Sequence, residues 1–193
     1  MDGIRARRAA VAILIALIVG VVGGWAMSRS SDDVDANLTD PGLVPGPGIG
    51  TNVDSTGRQF TFVGMIPVGS RDTVTPSTGG RPAVVNFWYS TCQPCRREMP
   101  VLAAAAGRYA GRVAFIGVNP NDTPESAAAF LDTYGATFPN YLDRAGEQLA
   151  ESQVGTMPTT FFLDARGEIV AMHAGELTEE DLAGYLVRAG VSP

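Results

Sequence analysis

The chain contains no lysine, so all 14 of its basic residues are arginine, set against 20 acidic ones. A net charge of -6 leaves no basic surface for a phosphate backbone, which argues against a nucleic-acid partner. Cysteine occurs only twice, at Cys92 and Cys95. Two thiols cannot build a disulfide framework, so any redox chemistry belongs to this one pair. Histidine is rarer still, with His173 alone. A structural zinc site wants four ligands, usually cysteine and histidine. With no third cysteine, the Cys-x-x-Cys spacing reads as a redox pair and not as half a zinc site. Charged residues are scarce at 18%, while hydrophobic ones reach 45%. That balance fits a globular domain joined to a membrane segment.

Arg5, Arg7 and Arg8 precede nineteen uncharged residues, Ala9 to Met27. At about 1.5 Å per residue these span about 28 Å, close to a bilayer core of about 30 Å. Arginine before the span and Asp32, Asp33 and Asp35 after it predict an N-in, C-out orientation. The competing reading is a cleaved signal peptide with a basic start and an apolar middle. The length and the lack of a small-x-small cleavage site favour the anchor, and both readings place the remainder outside the cytoplasm. Pro41, Pro45 and Pro47, interleaved with glycine, cannot hold a helix or a central strand. The expected organisation is a cytoplasmic N-terminus (1–8), a transmembrane anchor (9–27), a Pro/Gly-rich linker (28–52) and a folded domain (53–193).

Within that domain, Ala83–Tyr89 is an apolar run broken only by Asn86, as a strand buried on both faces would be. After Ser90-Thr91 the pattern becomes helical to about Tyr109, so both cysteines lie at the start of a helix. A thiol there feels unpaired backbone N–H groups and the positive end of the helix dipole. Both favour thiolate, which lowers the pKa of such a cysteine to about 3.5–7.5. Two intervening residues let one helical turn close a reversible disulfide. Further elements are a strand over Val113–Val118, a helix capped by Asp122 or Thr123 and ended by Gly135, and a strand over Phe138–Leu142. A short helix follows at Gly146–Ser152, then a hairpin of Thr159–Leu163 with Glu168–His173, then a helix from Thr178 to Ala189. Upstream, Gln59–Val63 alternates as a strand does, with 73–75 as its expected partner. The order is that of an α/β sandwich.

The run Phe87-Trp88, Cys92-Gln93-Pro94-Cys95, Glu98 and Pro100, with the later Thr156-Met157-Pro158-Thr159, resembles the thioredoxin superfamily. Within it, the chain is similar to the membrane-anchored TlpA/ResA/DsbE-type thiol-disulfide oxidoreductases, over roughly residues 53–193. The resemblance implies a thioredoxin-like fold, with a central mixed sheet flanked by helices, an N-terminal β-hairpin and an inserted helix and strand. It implies catalysis by Cys92 as nucleophile and Cys95 as the deeper, resolving thiol, with no cofactor beyond the Cys92–Cys95 disulfide. Pro158 is expected to be cis, with Met157, Pro158 and Trp88 as candidates for the substrate-binding surface; Trp88 also reads as packing. Glu98 falls where relatives carry a glutamate near the thiols, fit to relay the Cys95 proton, although a solvated helix carboxylate is the plain alternative. The resemblance implies as partners exported cysteine-containing proteins, apocytochrome c or others, and a membrane electron-donor protein.

Gln93-Pro94 resembles the reducing members of the superfamily, since no histidine lies between the cysteines to stabilise the thiolate. Two departures stand out. Thr91 sits where relatives have tryptophan, and Asn86 sits where thioredoxin has a buried aspartate. The rivals are an oxidase or isomerase on the same fold, a copper-handling module using Cys92, Cys95 and His173, and a peroxiredoxin. The Pro-x-x-x-Thr-x-x-Cys context of the last is absent around Cys92. Arg96 and Arg97 read as a solvated helix face or as a contact for an acidic partner.

Overall fold

The computed structural model of the protein describes residues 54–192. The expected cytoplasmic stretch, anchor and linker lie outside the described residues. Among the described residues, no helix is long and apolar enough to cross a membrane. In chain order the elements are β1 (Ile66–Pro67), β2 (Ala83–Phe87), α1 (Gln93–Arg108), β3 (Ala114–Asn119) and α2 (Pro124–Tyr134). They continue as β4 (Asn140–Leu142), α3 (Glu147–Glu151), β5 (Thr159–Leu163), β6 (Ile169–Ala174) and α4 (Glu179–Arg188).

Among the described residues, six strands form one mixed sheet in the order β1-β4-β3-β2-β5-β6. β3 runs parallel to both β2 and β4, while β5 pairs antiparallel with β2 and with β6. Alternation along each strand divides the core between the two faces. Val84, Trp88, Phe115 and Phe162 point to the face covered by α1 and α4. Val85, Phe87, Ile116 and Phe161 point to the other. All five residues of β2 are buried, as expected of a strand central to the sheet.

α1 buries Cys95, Met99, Leu102 and Ala105, spaced so as to share one face. Pro100 lies inside this helix but points to solvent. Thr123 caps α2 by accepting from Ser126 N, and Gly135 ends it in the left-handed region at φ 63°. α4 opens on a full capping box between Thr178 and Asp181.

The inserted helix and strand are present as α2 and β4. The N-terminal hairpin takes a different form from the one expected. Val74 exchanges both backbone hydrogen bonds with Met65 at 2.8 Å, not with Gln59–Val63. The earlier segment instead lies across the second face of the sheet. Phe60 packs edge-on against Phe161, with ring centroids 5.3 Å apart. Gln148, wholly buried on α3, accepts from Val63 N and donates to the Thr61 carbonyl. The start of this segment is bonded beside β6, where Gln59 bridges Glu168 and Phe60 N donates to Gly167 O at 2.9 Å. Beyond it, alternating Phe60 and Phe62 mark a face to be covered and not a longer ladder.

Candidate active site

β2 delivers the chain to the motif. Trp88 N still bonds to Val118 O at 3.0 Å, then Cys92 N turns back to Tyr89 O at 3.2 Å. Cys92 is the N-cap of α1, in extended conformation, and its Sγ accepts from Cys95 N at 3.2 Å. Cys92 and Cys95 form a disulfide. Cys92 is the shallower sulfur, as expected, but it is 3% exposed against 0% for Cys95. The exposed residues are its neighbours, Thr91 and Gln93.

Glu98 stands one turn beyond Cys95 and is 0% exposed, so it is not a solvated helix carboxylate. Its Oε1 accepts from Asn86 Nδ2 at 2.8 Å, and its Oε2 from Leu177 N at 2.9 Å. Burial pushes its pKa up from 4.5 to about 7; these two hydrogen bonds pull the other way, and the Glu176 carboxylate adds to the rise. Asn86 Nδ2 also donates to Thr160 Oγ1 at 2.9 Å, while Asn86 Oδ1 is buried without a hydrogen-bond partner.

The Met157–Pro158 peptide bond is cis. Thr159, the next residue, pairs with Phe87, so the bond lies at the sheet end where β2 enters the motif. Met157 is half-buried and lines an open groove of about 540 Å³ with Tyr89, Pro120, Asn121, Leu149 and Val154.

Trp88 does not belong to that surface. It is 0% exposed, stacks on Phe130 at 4.6 Å, and donates through Nε1 to Asn140 Oδ1 at 2.9 Å. The packing reading therefore replaces the substrate-binding one. Gly117 makes room for this bond, since a Cβ there would come within 1.7 Å of Asn140 Oδ1. His173 lies on β6, its ring nitrogens 3.1 Å from Glu176 O and 3.4 Å from the Tyr185 hydroxyl. Arg97 pairs with Glu176 at 2.6 Å on the surface. Arg96 turns back on the motif and donates to Ser90 O at 3.1 Å.

A sequence model of the AhpC/TSA family matches residues 69–172, more than half of the chain. The chain belongs to the AhpC/TSA family. This AhpC/TSA protein is 37% identical over 173 residues to the thioredoxin-like protein YneN of Bacillus subtilis, covering 88% of this chain and 91% of that one. It is 35% identical over 108 residues to the thiol-disulfide oxidoreductase ResA of Geobacillus kaustophilus. That match covers 55% of this chain and 62% of ResA, less than two thirds of the relative. Among solved structures, a thio-disulfide isomerase from Thermus thermophilus aligns at a TM-score of 0.60 and 32% identity, over 72% of this chain and 99% of that one. With a disulfide at the mouth of a helix on a thioredoxin-like fold, this AhpC/TSA protein is a thiol-disulfide oxidoreductase of the TlpA/ResA/DsbE-like kind.

Sequence reasoning missed Asp122 and Ser90 as parts of the site. Of the two caps the sequence allows for α2, Asp122 or Thr123, the structure takes Thr123. Asp122 is thereby free to accept from Ser90 N at 2.7 Å and from Ser90 Oγ at 2.8 Å. No local signal marks this pairing, because the two residues are 32 positions apart.

Proposed function

We propose that the protein is a membrane-tethered, extracytoplasmic reductase of protein disulfides. The observation that carries this reading is the Cys92–Cys95 disulfide at the N-cap of α1, with Glu98 buried one turn beyond Cys95 and its pKa pushed up by that burial to about 7. In the reduced enzyme the Cys92 thiolate attacks one sulfur of a partner disulfide. That bond breaks, one partner sulfur joins Cys92 and the other leaves as thiolate. Cys95 gives its proton to Glu98 and attacks Cys92 Sγ. The mixed disulfide breaks, the second partner thiolate leaves, and the Cys92–Cys95 bond forms. The partner gains two electrons and the enzyme loses them. A membrane electron-donor protein bearing a dithiol returns them. Exported cysteine-containing proteins, apocytochrome c among them, are substrates of the right class. Backbone at Met157, held beside the groove by the cis bond to Pro158, presents an edge for an extended segment of the partner.

Asn86 suits the proton relay. As placed, its Nδ2 meets an ionised Glu98. Turned over, its unpartnered Oδ1 would accept from a protonated Glu98 and from the Thr160 hydroxyl. One neutral amide thus serves both charge states, which the aspartate of thioredoxin would not.

The reducing direction is supported by the neutral Gln93-Pro94 pair, which adds no charge to hold a thiolate. The extracytoplasmic site is supported by the arginine-led apolar run at residues 9–27. A second reading, isomerase, is favoured by the relative from Thermus thermophilus. Two measurements decide. Cys95→Ser in native membranes is expected to trap mixed disulfides that a further Cys92→Ser change abolishes; equal capture without Cys92 would contradict the assigned roles. A reduction potential near that of thioredoxin, about -270 mV, supports the reductase, and one near about -120 mV refutes it.

A further inference from the structure

Ser90, two residues before Cys92, is held at each of its polar atoms. Its N–H donates to Asp122 Oδ2 at 2.7 Å and its hydroxyl to Asp122 Oδ1 at 2.8 Å. Its carbonyl accepts from Arg96 Nη1 at 3.1 Å. Asp122 is in turn seated on Asn119, the last residue of β3, which is 1% exposed. Asn119 Nδ2 donates to Asp122 Oδ2 at 2.7 Å. Asn119 Oδ1 accepts from Asp122 N at 2.9 Å and from Asn121 N at 3.1 Å. The Arg96 guanidinium lies over the Tyr134 ring, 5.8 Å from its centroid. The turn before the nucleophile is thus fastened to the sheet on one side and to its own helix on the other.

In the disulfide form, Cys92 Sγ has a covalent partner to hold it. On reduction that bond is gone. The sulfur then stays at the helix cap only if the turn carrying it stays put. A thiolate gains from the helix N-terminus only at the cap itself, since the effect fades within the first turn. We propose that Asp122 is a positioning residue, whose two-oxygen clamp on Ser90 keeps the Cys92 thiolate on the cap of α1 in the reduced enzyme. This rests on Cys92 being the nucleophile. Charge alone would act the other way, because a carboxylate near a thiol disfavours thiolate. The clamp and the charge therefore predict opposite signs when Asp122 is removed.

The test is the pH profile of Cys92 alkylation by iodoacetamide in the full-length Cys95→Ser protein, where Cys92 is the lone thiol. Asp122→Ala is expected to raise the Cys92 pKa by about one, slowing alkylation below that pH about tenfold. With Cys95 restored, the same change should move the reduction potential about 30 mV more negative per tenfold. Asp122→Asn keeps an acceptor for Ser90 N–H and a donor for its Oγ, so its Cys92 pKa should lie at or below that of the parent. Ser90→Ala, which loses one arm of the clamp, should fall between. Overturning results are an Asp122→Ala profile equal to the parent or shifted down, or an Asp122→Asn profile raised as far as that of Asp122→Ala. Should Asp122→Ala fail to fold, Ser90→Ala with an unshifted profile would refute the clamp. A parent Cys92 titrating near the free value of about 8.5 would remove the nucleophile assignment itself, and the clamp with it.

Discussion

Asp122 and Glu98 flank the same disulfide, one on the rim and one in the core, and their surroundings differ in donors and in water. Asp122 is half-buried and receives three hydrogen bonds, two from Ser90 and one from Asn119. Glu98 is wholly buried and receives two, with the Glu176 carboxylate close enough to raise it further. The rim carboxylate is arranged to hold a backbone still. The core carboxylate has fewer donors than its burial demands, so it is arranged to exchange a proton. Residue type does not separate the two roles, whereas the supply of donors set against the loss of water does.

The largest effect that would sharpen this contrast lies in the pH dependence of stability. A carboxyl carried from 4.5 to about 7 on folding is worth about 3 kcal/mol, at about 1.4 kcal/mol per tenfold in proton affinity. Between those values the folded state keeps a proton that the unfolded chain has released. Stability is therefore favoured below about pH 4.5 and falls as pH rises through about 7. Urea unfolding of the oxidised protein at pH 5 and pH 8 should show that fall, and Glu98→Gln should flatten it. An unchanged slope in the variant would break the comparison.

Next in size is Asn119→Ala, which strips one donor from Asp122 and leaves the N–H groups of Asn121 and Asp122 without their acceptor. A loss of about 2 kcal/mol is expected in the same unfolding experiment. A neutral result would mean that the rim carboxylate needs no seat on the sheet. Smallest is Arg96→Ala, which removes one bond to the Ser90 carbonyl and the guanidinium from over the Tyr134 ring, on a half-buried side chain. It should cost about 1 kcal/mol or less, and a larger loss that Tyr134→Leu does not reproduce would show that the helix, not Asp122, carries the turn.

Much of the fold was legible because its signals are local. The apolar run at Ala83 meets a helical repeat after Thr91, Thr123-Pro124 starts a helix, and Gly135 ends it. Phe60 and Phe62 misled because alternation marks any chain lying on a sheet, whether bonded to it edge-on or packed across it. Trp88 could be read two ways until Asn140 and Phe130, distant in sequence, closed over it. The unexpected bond from Leu177 N to Glu98 spans 79 residues.

By itself the sequence determined the chemistry. Two thiols one turn apart at a strand-to-helix junction make a redox pair, because that spacing sets both the ring they close and the dipole they feel. Only the tertiary structure decided the states of the groups around them. Spacing put Glu98 on the face of Cys95, but the approach of Leu177 and Asn86 took its water away. Spacing left Asp122 beside a helix start, but the parallel packing of β3 against β2 brought it to Ser90. Protonation and position depend on desolvation and on partners far along the chain, and neither is encoded within a few residues.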